Sequence, residues 1–215
     1  MRPLNEYIDH TNLKANATRA DIIRLCGEAK KHHFYAVCVN SCHVELASGE
    51  LKGTEIKVAS VVGFPLGASL TKAKVCEAET AAGLGATEID MVMDIGALKD
   101  KRYSRIVDDI RAVVHAVKKY NAIVKVILET CLLTDDEIVK ACQLSKEAGA
   151  TFVKTSTGFS TAGATINHVK LMAEAVAGNL KVKASGGIRD KATAKKMIEA
   201  GADRIGSSAS VEICK

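Results

Sequence analysis

Short apolar runs of strand character alternate along the chain with longer stretches in which apolar residues recur every third or fourth position. The runs lie at Tyr7 to Asp9, Ala36 to Val39, Val58 to Val62, Glu88 to Met93, Ile123 to Glu129, Phe152 to Ser156, Leu180 to Ser185 and Arg204 to Gly206. Between two of them, the segment from Arg102 to Tyr120 sets Ile106, Ile110, Val113, Val114 and Val117 on one face, the spacing of a helix packed on a sheet. Arg105, Asp109 and Lys118 fall on its polar face. Thr134 with Glu137, and Thr18 with Asp21, stand at capping-box spacing and start helices, while Gly149 and Gly201 sit where helices end and a left-handed residue is wanted.

About eight strand-helix repeats in 215 residues, with no break in composition, predict one domain over residues 1–215 folded as a closed (β/α)₈ TIM barrel. The alternative is an open doubly wound α/β sheet. Against it, no Gly-x-Gly-x-x-Gly follows the first strand, and the functional-looking glycines come late in the chain. In a barrel, chemistry sits at the C-terminal ends of the strands, and the loops after the seventh and eighth often hold phosphate.

Strand parity adds chemistry to this outline. In residues 88–94, Ile89, Met91 and Met93 share one face, and Glu88, Asp90, Val92 and Asp94 share the other. Likewise Val124, Val126 and Leu128 oppose Lys125, Ile127 and Glu129, and Val182 and Ala184 oppose Lys183. If the aliphatic faces meet outer helices, Asp90, Lys125, Lys154 and Lys183 point into the barrel from four successive strands. Burying an ammonium costs several kcal/mol even after relaxation. Three lysines around one aspartate leave positive charge uncompensated, so at least one lysine is expected to have a lowered pKa, and a neutral lysine attacks carbonyls. The competing reading is a set of ordinary ion pairs with Asp90, Glu129 or Asp94, or side chains that extend to solvent. Parity does not choose between Lys154 and Lys183 as an imine-forming residue.

Three loops carry anion-binding character. Ser185-Gly186-Gly187-Ile188-Arg189-Asp190 follows the seventh strand and opens a helix, Gly206-Ser207-Ser208 follows the eighth, and residues 155–160, which include Gly158, follow the sixth. Adjacent glycines let backbone N–H groups approach an anion, and a helix N-terminus adds a favourable dipole. Singly each reads as a tight turn; together on one barrel face they predict a phosphate site, to which Arg189 could add a charge-assisted contact.

Composition narrows the classes. A net charge of +5 with only 4% aromatic residues lacks the stacking surface of a single-strand nucleic-acid binder. The N-terminus has no apolar h-region and no run is long enough to cross a bilayer, so a soluble, cytoplasmic protein with no membrane partner is expected. Seven cysteines, mostly within predicted strands and helices, do not make a disulfide framework and fit a reducing compartment. The histidines are scattered, and Cys38-x-x-x-Cys42-His43 resembles a metal site only superficially, because Cys38 lies in an apolar strand. No metal or organic cofactor is expected, and no Gly-x-Ser-x-Gly elbow or P-loop is present.

Lys154-Thr-Ser-Thr-Gly-Phe, Val182-Lys183-Ala-Ser-Gly-Gly-Ile-Arg189, Glu88-Ile-Asp90-Met-Val and Val124-Lys125-Val-Ile-Leu-Glu-Thr130 resemble the deoxyribose-phosphate aldolases, class I aldolases built on a (β/α)₈ barrel. The resemblance runs from Ile8-Asp9-His-Thr-Asn-Leu13 over nearly the whole chain. It implies Lys154 as the Schiff-base nucleophile, Lys183 as the neighbour that lowers its pKa, Asp90 as the proton-relay carboxylate and Lys125 as the fourth member of the cluster. It also implies reversible cleavage of 2-deoxy-D-ribose 5-phosphate into D-glyceraldehyde 3-phosphate and acetaldehyde without cofactor, with Gly158, Gly186, Gly187, Arg189, Gly206 and Ser208 around the phosphate. A homodimer or homotetramer is compatible with it. Three positions depart from the family pattern. Asp94 stands where Asn is common and would add negative charge beside Asp90, Ala209 would remove one phosphate hydroxyl, and the sequence closes on Cys214-Lys215 without the C-terminal tyrosine that assists proton transfer in some members. Two other readings stay open: a phosphosugar isomerase on the same barrel with Asp90 or Glu129 as base, and a barrel that binds phosphosugar without turnover.

Overall fold

In the computed structural model, which describes residues 2–215, eight parallel strands close into a barrel in chain order. They are β1 (Ile8–Asn12), β2 (Ala36–Val39), β3 (Lys57–Val62), β4 (Glu88–Val92), β5 (Ile123–Ile127), β6 (Phe152–Lys154), β7 (Lys181–Ser185) and β8 (Arg204–Ser207). β1 and β8 complete the ring, with Ile8 opposite Ile205 and Asp9 opposite Gly206. The outer helices are α1 (Arg19–His32), α2 (Val44–Glu50), α3 (Thr71–Gly83), α4 (Ile95–Lys99), α5 (Tyr103–Val117), α6 (Asp135–Glu147), α7 (Ile166–Val176), α8 (Lys191–Glu199) and the short α9 (Ser210–Ile213). The predicted barrel is therefore present, and the open sheet is not.

The local signals act as read. Thr18 and Thr134 close capping boxes with Asp21 and Glu137 at the starts of α1 and α6. Gly149 and Gly201 take φ of +85° and +109° after α6 and α8, a region in which a side chain would be strained. The helix expected over 102–120 is α5 followed by a 3₁₀ turn, Lys118–Tyr120, that ends at left-handed Asn121. One assignment on that helix is corrected. Asp109 is buried rather than on a solvated face, because it accepts hydrogen bonds from the Lys74 ammonium and the Thr71 hydroxyl, both at 2.6 Å.

The main apolar core lies between the strands and the helices, where Ile89, Met91, Val124, Val126 and Val182 meet Ile106, Ile110, Val113 and their neighbours. Inside the ring the two halves differ. Leu13, Cys38, Ala59 and Val61 form a small separate apolar cluster on the β2–β3 side, while the wall built by β4 to β8 and β1 is charged. That division leaves one polar chamber at the heart of the barrel.

Candidate active site

The four residues picked out by parity meet at one carboxylate. Lys125 Nζ donates to Asp90 Oδ1 at 2.6 Å, and Lys154 Nζ and Lys183 Nζ donate to Asp90 Oδ2 at 2.8 and 2.7 Å. Register accounts for it, since Asp90 pairs with Lys125 across β4 and β5, and Lys154 with Lys183 across β6 and β7. Three residues not assigned a role from the sequence complete the network. Glu88 lies 2.6 Å from Lys125, Lys183 donates to Asp9, and Arg204 bridges Asp9 (Nε to Oδ1, 2.8 Å) and Glu88 (Nη2 to Oε2, 2.9 Å). The Arg204 guanidinium also stacks 3.8 Å over the Tyr35 ring. Parity on β1 and β8 already carried the signal: Asp9 and Arg204 alternate with the outward Ile8 and Ile205.

Seven charged groups thus share a water-poor volume, four cations against three carboxylates. Burial by itself would push the Asp90 carboxyl up, but Lys125, Lys154 and Lys183 outweigh it and hold it well below the usual carboxylate range. Asp9 is likewise lowered, burial being outweighed by Arg204 and Lys183. Burial would lower Lys125 and Lys183, yet the carboxylates around them raise both: Asp90 and Glu88 for the first, Asp9 and Asp90 for the second. The expectation of a lysine with a lowered pKa is thus not met at Lys125 or Lys183. The three-lysine count had left out Asp9 and Glu88. With four cations to three carboxylates, release of one proton balances the cluster.

Lys154 differs from the other two lysines in access. Its side chain keeps 4% of its surface exposed while Lys125 and Lys183 keep none, and among the seven charged residues it alone lines the cavity at the barrel mouth. That cavity holds about 440 Å³, enough for a small phosphosugar. The loops predicted for phosphate line the same cavity: Gly158, Gly186, Gly187, Arg189, Gly206 and Ser208 all border it. Gly186 and Gly187 take φ of +86° and +79°, and a Cβ on the adjacent Gly163 would strike the Gly186 carbonyl oxygen at 2.1 Å. Asp190 caps α8 through the Thr193 N–H at 2.8 Å, so the helix begins immediately behind the glycine turn. Gly206 has a second use, since a Cβ there would lie 3.1 Å from Lys183 Cε.

Two expectations about acidic residues are corrected. Asp94 does not join Asp90; its carboxylate caps α4 through the Ala97 N–H at 3.0 Å and pairs with Arg105 at 3.1 Å. Glu129 contacts none of the cluster lysines and does not line the cavity, because it accepts hydrogen bonds from the backbone and side chain of Thr157. Glu129 is therefore poorly placed as an isomerase base, being tied to Thr157 and set back from the cavity. At position 209 the Ala209 N–H donates to Ser207 Oγ at 3.0 Å. Among the described residues no group of three or more His, Cys, Asp and Glu is arranged to hold a metal ion; the carboxylates of Asp9, Glu88 and Asp90 are occupied by lysine and arginine.

Residues 5–214 match the DeoC/LacD family aldolase model. The deoxyribose-phosphate aldolase of Aciduliprofundum boonei is 62% identical over 212 residues, which cover 99% of this chain and 96% of that protein. The enzyme of the same name from Thermococcus kodakarensis is 56% identical over 214 residues, 99% and 96% of the two chains. Among solved structures, an aldolase designated QR15 superposes with a TM-score of 0.95 at 43% identity, covering 100% of this chain and 95% of that one. The deoxyribose phosphate aldolase of Aeropyrum pernix, described as a unique tetramer, gives 0.92 at 35% identity over 98% and 89%.

Proposed function

The chain belongs to the DeoC/LacD family of aldolases, and we propose that it cleaves 2-deoxy-D-ribose 5-phosphate reversibly to D-glyceraldehyde 3-phosphate and acetaldehyde, with Lys154 as the imine-forming amine. The observation that carries the assignment of Lys154 is its access: it is the cluster lysine whose side chain lines the cavity. Neutral Lys154 attacks the C1 aldehyde of the open-chain sugar, and the carbinolamine loses water to give a protonated imine. Acetaldehyde takes C1 and C2, so the bond that breaks is C2–C3. Its electrons flow into the imine while the C3 hydroxyl loses its proton, and D-glyceraldehyde 3-phosphate departs. The remaining enamine is protonated at C2, and hydrolysis returns acetaldehyde and the free amine.

The rest of the cluster serves that sequence. Lys183 stays cationic beside the amine, favours its neutral form and opposes protonation of the resting nucleophile. Asp90 orients the Lys154 amine at 2.8 Å and relays protons, through solvent, between carbinolamine, C3 hydroxyl and enamine. Lys125 keeps Asp90 in place from its other oxygen. Gly158, Gly186, Gly187, Arg189, Gly206 and Ser208 bind the phosphate, whose distance from C1 makes it a handle for orientation rather than chemistry. A homo-oligomer in the cytoplasm completes the proposal. Seven free cysteines support a reducing compartment, and the described residues contain no helix long and apolar enough to cross a membrane. Lys154→Leu tests the central assignment: turnover is expected to fall to background while phosphate-ligand binding persists, and substantial residual cleavage would exclude Lys154 as the nucleophile.

A further inference from the structure

Glu129 is a buried carboxylate beyond the end of β5 that the mechanism does not use, and its backbone is costly. It takes φ +57°, ψ +61°, a left-handed conformation that a long side chain adopts only when its surroundings over-determine it. The surroundings do so here. Leu128 N–H donates to the Lys154 carbonyl and Thr130 N–H to the Thr155 carbonyl, both at 2.9 Å, so the kink falls where β5 parts from β6. That kink leaves the Glu129 side chain 2% exposed beneath the β6–α7 loop. Its Oε1 accepts the Thr157 N–H at 3.2 Å and its Oε2 accepts the Thr157 hydroxyl. The same hydroxyl oxygen accepts the Phe159 N–H at 3.0 Å. A single carboxylate thus fixes Thr157 at two points and Phe159 through it, with Gly158 held between them at φ +84°. All three loop residues line the cavity; Glu129 does not.

We propose that Glu129 is a positioning residue that acts through Thr157 to hold the 157–159 loop in the shape that receives the substrate phosphate. The inference rests on the phosphate assignment of Gly158 made above. Lys154, three residues earlier at the end of β6, is held by Asp90 and not by Glu129, so loosening Thr157 should weaken phosphate recognition and spare imine chemistry. A buried carboxylate with two donors from one residue forms charge-assisted bonds, whose loss is large enough to read in KM.

The test compares Glu129→Ala, Glu129→Gln and Thr157→Val with the unmodified enzyme, using 2-deoxyribose 5-phosphate and unphosphorylated 2-deoxyribose as substrates. Borohydride trapping of acetaldehyde is the readout for the amine. Glu129→Ala is expected to raise KM for the phosphosugar about tenfold or more, leaving kcat/KM for 2-deoxyribose and the trapping yield within about twofold. Glu129→Gln, which keeps one acceptor oxygen, should fall between. An unchanged KM in Glu129→Ala, or equal losses on both sugars together with lost trapping, would overturn the proposal. If Glu129→Ala does not fold, Thr157→Val decides by the same two criteria. Failure of the phosphate assignment itself gives a different pattern, an unmodified enzyme that does not prefer the phosphorylated sugar.

Discussion

Replacing Lys183 with methionine keeps most of the side chain's length and removes one charge from the barrel interior. Lys154 and Lys183 donate to the same oxygen of Asp90 at 2.8 and 2.7 Å, so their nitrogens lie no farther apart than the two bonds laid end to end, about 5.5 Å. At an effective dielectric constant near 20, two unit charges at that distance repel by about 3 kcal/mol. The sign follows from the charge count. With Lys183 present, loss of a proton from Lys154 takes the cluster from one excess cation to balance; with Lys183→Met it takes a balanced cluster to one excess anion. The neutral amine then forms only at higher pH. The pH profile of kcat/KM for 2-deoxyribose 5-phosphate, recorded from about pH 6 to about pH 10, should therefore shift its rising limb upward. Breaking a buried pair is destabilising, by about 3–5 kcal/mol when a charge is left alone. Here Asp9 keeps Arg204 and Asp90 keeps Lys125 and Lys154, so a folded variant is expected, to be verified by its urea midpoint. A folded Lys183→Met whose profile stays in place, or moves to lower pH, would refute the electrostatic role of Lys183.

Two further outcomes are expected. Gly206→Ala puts a methyl 3.1 Å from Lys183 Cε and 3.0 Å from Ser185 Cβ; overpacking of this kind costs about 1–3 kcal/mol, and the displaced lysine should lower kcat as well as the melting temperature. A destabilised variant with full kcat would show that Lys183 tolerates displacement. Burial pushes the His10 imidazole below its ordinary value of 6.5 against the opposing pull of Glu28. Its contribution is whole above pH 6.5 and is lost as pH falls toward the folded-state value, because the unfolded chain takes up the proton first. The drop in urea midpoint between about pH 7.5 and about pH 5.5 should accordingly shrink in His10→Gln, and an undiminished drop would remove His10 from the acid response.

Much of this molecule was legible because its signals are local. Period-two alternation located the strands and placed Asp90, Lys125, Lys154 and Lys183 on one face, and capping boxes marked two helix starts. What escaped was the pairing of these groups, which depends on partners distant in sequence. Asp9 meets Lys183 across 174 positions, and without it the interior looked more positive than it is, so raised rather than lowered pKa values at Lys125 and Lys183 were not foreseen. Asp109 sits at the edge of an apolar stripe and reads as solvated until Lys74, 35 positions away, is brought against it. The left-handed kink at Glu129 has no sequence signature, since glycine or asparagine would ordinarily mark it. It turned a residue with the right parity for the barrel interior into an anchor for a loop. Asp94 shares the parity of Asp90, but its carboxylate turns back to cap α4 at Ala97 and pairs with Arg105, 11 positions on.

The central claim is that Lys154, and neither Lys183 nor Lys125, forms the covalent bond to substrate. Incubation of the enzyme with acetaldehyde and borohydride, followed by proteolysis and mass spectrometry, tests it directly. The account predicts one reductively alkylated lysine, in the peptide that contains Lys154, and no such adduct in Lys154→Leu. An adduct on Lys183 or Lys125, or none on the active enzyme, would contradict it.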